Sequence, residues 1–315
     1  MTDFQQTLAT ITDYIKADIF PGASLALYDG KAWQEYYQGT QDGYVPVVPG
    51  LTYDLASVSK VVGVGTLCLF YLQTNKLDLD EKLSTYYPAV ENKTLTLRQL
   101  LSHSSGIDPF IPNRDELDQE GLIAAINAIK VRDDKPFLYT DINFILLGLM
   151  LEKLSGLSLD KLFDSEVFQP FGMSETQFGP VGIAVPTVKG IPGGTVHDPK
   201  ARVLKEHTGS AGLFSTLKDL EIFVNHYLTD DFAKNLTKNI SQSKKERSVA
   251  WDLQGDWILH TGYTGTFVLI NIPAQRAAIF LSNRTYYKDE RAQWIKDRDV
   301  LIEIIKEELI SEAVK

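Results

Sequence analysis

Ser57 and Lys60 are the first residues whose types and spacing could do chemistry. A separation of three places both side chains on one face of a helix. Serine attacks a carbonyl only when a neighbouring group removes its proton, and a partly buried lysine near a helix N-terminus has its charged form disfavoured. Lys60 could therefore act as a neutral base for Ser57, whose backbone N–H could also face an oxyanion. The structural alternative is that Ser57 only caps a helix.

Context separates this pair from other pairs with the same spacing. Ser57 precedes the apolar run over residues 61–70, which has apolar residues on nearly every face and predicts a deeply buried helix. The same spacing recurs in three pairs that we interpret as solvated surface residues: Ser158 and Lys161, Ser215 and Lys218, and Ser241 and Lys244.

A helix is predicted over residues 141–154. Asp141 is its first residue, and Tyr139 lies two residues before it. A tyrosine phenol in this position could move a proton between the nucleophile and a leaving group. Asp141 could hydrogen-bond Lys60, or it could simply cap the helix, and the two roles are compatible.

The segment His260-Thr261-Gly262-Tyr263 lies between two predicted strands. Small residues there would let a substrate backbone approach the strand edge. The hydroxyl of Thr261 could bind substrate, and the N–H of Tyr263 could bind an oxyanion. A second His-Thr-Gly occurs at residues 207–209, but it leads into a loop and a helix start, so we favour the one at 260–262.

Taken in this order, the three segments resemble the serine β-lactamase and penicillin-binding-protein superfamily, in particular its class C-like branch, which is related to esterases and DD-peptidases. The Ser-x-x-Lys element of that family matches Ser57 and Lys60. Its Tyr-x-Asn element matches Tyr139, with Asp141 in place of the asparagine, and its Lys-Thr-Gly element matches residues 260–262 with His260 in place of the lysine. The resemblance covers about residues 20–285 and extends to four further stretches: LLSHSSGI at 100–107, VFQPFGMSET at 167–176, TVHDPKA at 195–201 and SAGLFSTLKDL at 210–220.

This resemblance implies a serine hydrolase that works through an acyl-enzyme and needs no metal or cofactor. Lys60 and Tyr139 together would deprotonate Ser57, which would attack a small ester or amide. The N–H groups of Ser57 and Tyr263 would hold the oxyanion. Tyr139 would then activate the water that releases the acyl group. The substrate-binding set would also include Asp141, His260, Thr261 and Gly262.

Two departures from the family pattern bear on the substrate. The carboxylate of Asp141 favours the protonated form of Lys60, which moves the role of base toward Tyr139, and it cannot donate a hydrogen bond to an amide carbonyl. His260 is mostly neutral at pH 7, so the fixed charge that would meet a substrate carboxylate is weakened. Both changes favour less charged esters or amides. The alternative activity is that of a true β-lactamase or a D-alanyl-D-alanine carboxypeptidase, and the alternative of another class is a catalytically silent binding or sensing protein.

The elements that must position these residues follow the order helix, strands, helices, strands, helix. This order predicts an α+β fold, in which an antiparallel sheet from both chain ends is flanked by helices and an all-helical lobe is inserted. We expect one β-lactamase/transpeptidase-like catalytic domain over residues 1–315, with a sheet lobe of about 1–60 and 205–315 and a helical lobe of about 61–204. Apolar spacing and turn signals predict helices over 4–18, 96–102, 120–130, 141–154, 217–228 and 290–313, strands over 24–28, 31–37, 257–260, 266–272 and 276–281, and irregular chain over about 170–210.

Composition narrows the functional classes further. The formal net charge of −10 argues against a protein that binds the nucleic-acid backbone. The single cysteine, Cys68, lies in an apolar run and predicts a buried structural thiol, and there is no His-Glu-x-x-His or paired-cysteine motif for a metal. The N-terminal residues lack the pattern of a secretory signal, and no stretch approaches the ~18 apolar residues of a membrane span. We therefore expect a cytoplasmic protein that acts on a small molecule without a nucleic-acid or membrane partner. No sequence feature predicts an oligomeric state.

Overall fold

Strands and helices alternate along the chain in nearly the predicted order. The computed structural model describes residues 4–311. The strands are β1 (Gly22–Tyr28), β2 (Trp33–Gly39), β3 (Thr52–Asp54), β4 (Gln177–Phe178), β5 (Leu213–Thr216), β6 (Asp252–Gln254), β7 (Trp257–Thr261), β8 (Phe267–Asn271) and β9 (Arg276–Ser282). The helices are α1 (Gln5–Lys16), α2 (Thr66–Gln73), α3 (Leu83–Tyr86), α4 (Leu97–Leu101), α5 (Gln119–Asn127), α6 (Asp141–Ser155), α7 (Leu159–Phe163), α8 (Gln169–Phe171), α9 (Pro199–Leu204), α10 (Leu217–Thr229) and α11 (Arg291–Ser311).

The two ends of the chain meet in one sheet of six strands, ordered β2-β1-β9-β8-β7-β6. Each neighbouring pair is antiparallel, and Ala26 of β1 lies opposite Ile279 of β9. A hairpin joins β1 and β2 at the turn between the two predicted strands. Gly30 has a φ of 88° there, and the Asp29 carboxylate accepts the N–H groups of Lys31 and Ala32, two and three residues further on. The predicted α+β fold, with its antiparallel sheet from both chain ends, is confirmed.

Helices cover both faces of this sheet. On one face α1 packs against α11, and Phe20 makes edge-to-face contacts with Phe280 of β9 and Trp294 of α11. On the other face α10 packs against β1 and β9. The predicted closing helix over 290–313 corresponds to α11, and the last two residues of that prediction lie outside the described residues.

The segment that follows Ser57 is deeply buried, but it is not one regular α-helix. A 3₁₀ turn over Ala56–Val58 and a π-helical turn over Val61–Gly65 precede α2. The segment Ala56–Gln73 has a mean hydropathy of 1.3 and is long and apolar enough to cross a membrane, which corrects the expectation that no stretch approaches such a span. Because 78% of it is buried inside the protein, its apolar character is that of a core helix. The bent pair Asp141–Ser155 and Leu159–Phe171 passes the same test only when taken together.

A second sheet of three short strands, ordered β3-β5-β4, was not predicted. Its strands have two to four residues, which is too short for an alternating pattern to show in the sequence. The region predicted as irregular, about 170–210, contains β4 and also α9. This sheet positions a candidate site residue, because β3 leads directly into the turn that carries Ser57.

Candidate active site

Ser57 lies on a tight turn directly after β3. The preceding residue, Ala56, has a φ of +46°, a left-handed conformation that residues other than glycine rarely adopt. The carboxylate of Asp54 holds the turn by accepting the N–H of Ala56 at 2.8 Å and the N–H of His197 at 2.7 Å. Strained backbone persists where the surroundings hold it in this way. The turn places Ser57 in the wall of a cleft of about 560 Å³.

The ammonium group of Lys60 joins three parts of the chain. Its Nζ donates to Ser57 Oγ at 2.9 Å, to Asp141 Oδ1 at 2.7 Å and to the backbone carbonyl of Ser210 at 2.8 Å. A protonated lysine has three N–H donors, and these three acceptors satisfy all of them. This matters because the side chain is 0% exposed, where an unsatisfied ammonium would be costly.

The charge on Lys60 is favoured despite its burial. Burial alone lowers the pKa of Lys60, but the charge of Asp141 and its hydrogen bond outweigh burial, so the pKa lies above its ordinary value. The prediction that Lys60 is a neutral base is therefore wrong. The predicted effect of Asp141, which favours the protonated form of Lys60, is confirmed.

Asp141 lies between two lysines. Its Oδ1 accepts from Lys60, and its Oδ2 lies 3.0 Å from Nζ of Lys200, which is also 3.3 Å from Asp198 Oδ2. Burial raises the pKa of Asp141, but the two lysine charges lower it further than burial raises it. The helix cap is supplied by Thr140, whose hydroxyl accepts the N–H of Ile142 at 3.3 Å, so Asp141 is free to serve the lysines.

Lys200 and Asp198 were not among the predicted site residues. They lie at the start of α9, where Asp198 caps the helix by accepting the N–H of Ala201 at 2.8 Å. The available signal was the stretch TVHDPKA at 195–201, which resembled the family without assigning a role to its lysine.

Tyr139 packs between the lysine and a buried histidine. The centre of its ring lies 5.2 Å from Nζ of Lys60 and 4.3 Å from the centre of the His103 ring. His103 Nδ1 is bonded to the Asn143 side-chain amide at 2.9 Å and accepts the N–H of Thr140 at 3.4 Å. Burial first, and then the charges of Arg247 and Lys60, lower the pKa of His103 well below its ordinary value. His103 therefore acts as a neutral support for Tyr139.

The loop between β7 and β8 is bonded to the backbone just before Ser57. The hydroxyl of Thr264 donates to the carbonyl of Asp54 at 3.0 Å, and that of Thr266 donates to the carbonyl of Leu55 at 3.0 Å. A Cβ at Gly262 would lie 2.7 Å from the same Leu55 oxygen and would also meet the Thr266 hydroxyl. The space at Gly262 is therefore filled by the chain itself, whereas the sequence suggested that it would admit substrate.

Strand alternation separates the side chains of His260 and Thr261. Thr261, Gly262 and Tyr263 line the cleft, whereas His260 is buried behind Tyr139, with ring centres 6.3 Å apart. Burial, and then the charges of Lys60 and Arg247, lower the pKa of His260 well below its ordinary value, so its ring is neutral as predicted. The structure does not place the His260 side chain against a substrate in the cleft. The other histidine considered, His207, is bonded to Glu152 at 2.8 Å, away from the cleft lining.

The cleft has a positive charge beside Thr261, but an arginine supplies it and His260 does not. Arg298 of α11 donates from Nη1 to the hydroxyl of Thr261 at 3.3 Å and lines the cleft. Arg284 donates to the carbonyl of Tyr263 at 2.8 Å and, like the Tyr263 hydroxyl, binds Asp289. Arg298 belongs to no sequence motif, so only its position in space reveals it, whereas the place of Arg284 shortly after the last predicted strand is compatible with either a site residue or an ordinary turn.

The described residues contain no group of three or more His, Cys, Asp or Glu side chains arranged to hold a metal ion. The single cysteine, Cys68, is buried and free, as predicted, and burial raises its pKa to about 12.

A strained turn that presents a serine, a buried lysine bonded to its hydroxyl and an adjacent tyrosine define a serine hydrolase. The profile of the Beta-lactamase family matches residues 8–302, and the chain belongs to that family. The resemblance stated from the motifs is therefore confirmed.

Relatives and solved structures similar to this chain include proteins named as a putative carboxypeptidase, a hydrolase and a β-lactamase. An Escherichia coli K12 protein named "Putative D-alanyl-D-alanine carboxypeptidase" is 24% identical over 326 residues, which cover 81% of this chain and 75% of the relative. The structure of EstCE1, described as a hydrolase with promiscuous acyltransferase activity, has a TM-score of 0.75 at 17% identity and covers 94% of this chain and 97% of its own. A class C β-lactamase from Rhodobacter sphaeroides has a TM-score of 0.71 at 19% identity, covering 94% of this chain and 99% of its own. The two structural matches show a shared fold.

Proposed function

We propose that this protein hydrolyses a small ester or amide through an acyl-enzyme on Ser57. The observation that carries the proposal is the 2.9 Å hydrogen bond between Ser57 Oγ and the buried Lys60 Nζ, at the wall of the cleft and beside Tyr139. A nucleophile needs a partner that takes its proton. Lys60 is bonded to this serine, and the ring of Tyr139 lines the same cleft with its centre 5.2 Å from Lys60 Nζ.

In the proposed acylation, the proton of Ser57 passes to the Lys60–Tyr139 pair while Oγ attacks the carbonyl carbon. The ammonium form of Lys60 stabilises a phenolate on Tyr139, so the pair accepts the proton as one unit. The N–H groups of Ser57 and Tyr263 then hold the oxyanion, and loss of one such donor typically costs ~100- to 1000-fold in rate.

Collapse of the tetrahedral intermediate breaks the bond to the leaving group, which takes the proton from the pair. In the proposed deacylation, Tyr139 removes a proton from water, and the resulting hydroxide attacks the acyl carbon. The acid product leaves and Ser57 recovers its proton. No step draws on a group outside the chain, the substrate and water.

The preference for esters rests on Asp141. An ionised carboxylate only accepts hydrogen bonds, and both oxygens of Asp141 already bind lysines. It therefore offers no donor to the amide carbonyl of a peptide or of a β-lactam side chain. An ester substrate needs no such contact.

A second candidate function, cleavage of a carboxylate-bearing amide or β-lactam, is favoured by Arg298. Its guanidinium donates to the Thr261 hydroxyl, and at this position it could form bidentate hydrogen bonds with a substrate carboxylate. The name of the Escherichia coli relative agrees with this candidate.

Labelling with a fluorophosphonate, followed by mass spectrometry, tests the proposed nucleophile. We expect an adduct on Ser57 and the loss of labelling and of p-nitrophenyl ester hydrolysis in Ser57→Ala. Ser158→Ala is the matched control, because Ser158 has a lysine at the same spacing but does not line the cleft. Absence of an adduct on Ser57 would support a binding protein instead. Rapid turnover of a fluorescent penicillin with inert esters would support the second candidate.

A further inference from the structure

The catalytic lysine lies at one end of a row of four alternating charges. Lys60, Asp141, Lys200 and Asp198 are joined by contacts of 2.7, 3.0 and 3.3 Å. Lys60 is 0% exposed, and the side chain of Lys200 is 15% exposed at the cleft wall. Lys60 and Asp141 belong to the proposed acylation machinery, whereas nothing in that mechanism uses Lys200.

The carboxylate of Asp141 creates a problem for acylation. A negative charge 2.7 Å from Nζ holds the proton on Lys60 and disfavours a second negative charge on the Tyr139 phenol. Both effects reduce the ability of the Lys60–Tyr139 pair to take the proton of Ser57. The ammonium group of Lys200, bound to the other oxygen of Asp141, has the opposite effect on the same pair because its charge is positive.

We propose that Lys200 is a positioning residue for the acylation step, an inference that rests on the proposed function. Its ammonium group binds the second oxygen of Asp141, fixes the carboxylate between two cations and offsets its charge at the Lys60–Tyr139 pair. The proton of Ser57 still moves only to that pair, and Lys200 keeps its own proton throughout.

Other charged or titratable groups also face the pair, but they differ from Lys200 in kind. His103 and His260 are buried and neutral, and Arg247 is a buried permanent cation that lies near Tyr139. Asp198 faces Lys200 from the cap of α9 and holds it in place. Lys200 is the cation that contacts Asp141 from a different element than the Ser57 turn, so its removal changes the charge without disturbing the nucleophile.

The test is the rate of Ser57 labelling by a fluorophosphonate as a function of pH. This rate follows the reactivity of the nucleophile without requiring knowledge of the natural substrate. In Lys200→Gln we expect the rising limb of the profile to move up by about one pH unit, with labelling about ten-fold slower on that limb. Lys200→Arg retains the cation and should keep the limb close to its original position.

One further variant controls for the loss of a lysine of this kind. Lys306→Gln is the control for loss of a shielded, ion-paired lysine, because the Lys306 side chain is 12% exposed and lies 2.7 Å from Glu303, outside the cleft lining. It should leave the profile unchanged.

A rising limb that stays in place in a folded Lys200→Gln variant overturns the inference. A decrease in the labelling rate by the same factor at every pH also overturns the inference, because that result indicates a structural role. So does unchanged labelling with a raised KM for anionic esters, which indicates that Lys200 binds substrate. In each case an adduct on Ser57 leaves the proposed function standing, whereas absence of that adduct in the unmodified protein overturns the function itself.

Discussion

The ring of His103 stacks on the ring of Tyr139, with centres 4.3 Å apart and planes inclined by 27°. His103 itself has a φ of +54°, and its Nδ1 is bonded to Asn143 and to the N–H of Thr140, the residue after Tyr139. The histidine therefore sets both the ring plane of Tyr139 and the backbone beside it. The group that we propose to transfer the proton is thus oriented by a residue that has no part in the proposed chemistry.

Phenylalanine at position 103 tests this support. His103→Phe keeps an aromatic ring for stacking but leaves the N–H of Thr140 and the amide of Asn143 buried without an acceptor. Each unsatisfied group costs about 1–3 kcal/mol, so for two groups we expect a loss of about 2–6 kcal/mol in the free energy of unfolding, measured in urea, together with slower ester hydrolysis. The control is His226→Phe, a partly exposed histidine that stacks on Phe171 away from the cleft. Equal stability of the two variants would contradict the role given to His103.

A methyl group at position 262 should separate the β7–β8 loop from the Ser57 turn. In Gly262→Ala the new Cβ would lie 2.7 Å from the carbonyl oxygen of Leu55, so the β7–β8 loop, which we propose to bind the oxyanion, must shift. Because misplacement of about 1 Å can cost about 100-fold in rate, we expect a large loss of kcat with the fold retained by circular dichroism. Gly182→Ala is the matched control, since a Cβ there meets no atom within 4 Å and its φ is not positive. Full activity in Gly262→Ala would show that the loop contact is dispensable.

Arg298 should distinguish substrates by charge. In Arg298→Gln we expect KM for an ester that carries a carboxylate to rise at least about ten-fold, because a hydrogen bond to a charged group contributes about 1.5–3 kcal/mol. A neutral ester of the same size should show little change. The comparison is made by steady-state kinetics, with Arg132→Gln as the control at a half-exposed arginine outside the cleft lining. Equal effects on both esters would argue that Arg298 only supports Thr261.

Glu221 should make the fold less stable as the pH rises toward neutrality. Burial, and then the charge of Glu35, raise the pKa of Glu221 to about 7 against the opposing effect of Lys218. The folded protein therefore holds this proton more tightly than the unfolded chain does, and the stability present at low pH is lost between about pH 4.5 and 7. A shift of this size corresponds to about 3 kcal/mol.

Urea unfolding at pH 5 and pH 8 measures this effect. Glu221→Gln keeps an uncharged side chain at every pH, so the difference in stability between the two pH values should shrink by roughly that amount. The control is Glu120→Gln, an exposed glutamate on α5. An unchanged difference in Glu221→Gln would exclude Glu221 as its source.

The sequence alone determined the chemical groups and most of the regular elements. Ser57 and Lys60 are recognisable because a helical spacing is a local property, and α6 and α11 are recognisable because their apolar residues recur at helical spacing. The order of strands and helices was sufficient to predict an antiparallel sheet from both chain ends. The short strands β3, β4 and β5 were missed because two to four residues leave no periodic signal.

The tertiary structure alone decided which charges meet. Asp141 and Lys200 are 59 positions apart in the sequence, yet their side chains lie 3.0 Å apart, and no local pattern encodes that contact. Arg298 reaches Thr261 from the closing helix for the same reason. The His260 side chain is buried because the core covers its face of β7. Alternation along a strand does not determine which of the two faces the core covers. Packing of distant segments therefore determined the electrostatics of the site, whereas local sequence determined its reactive groups.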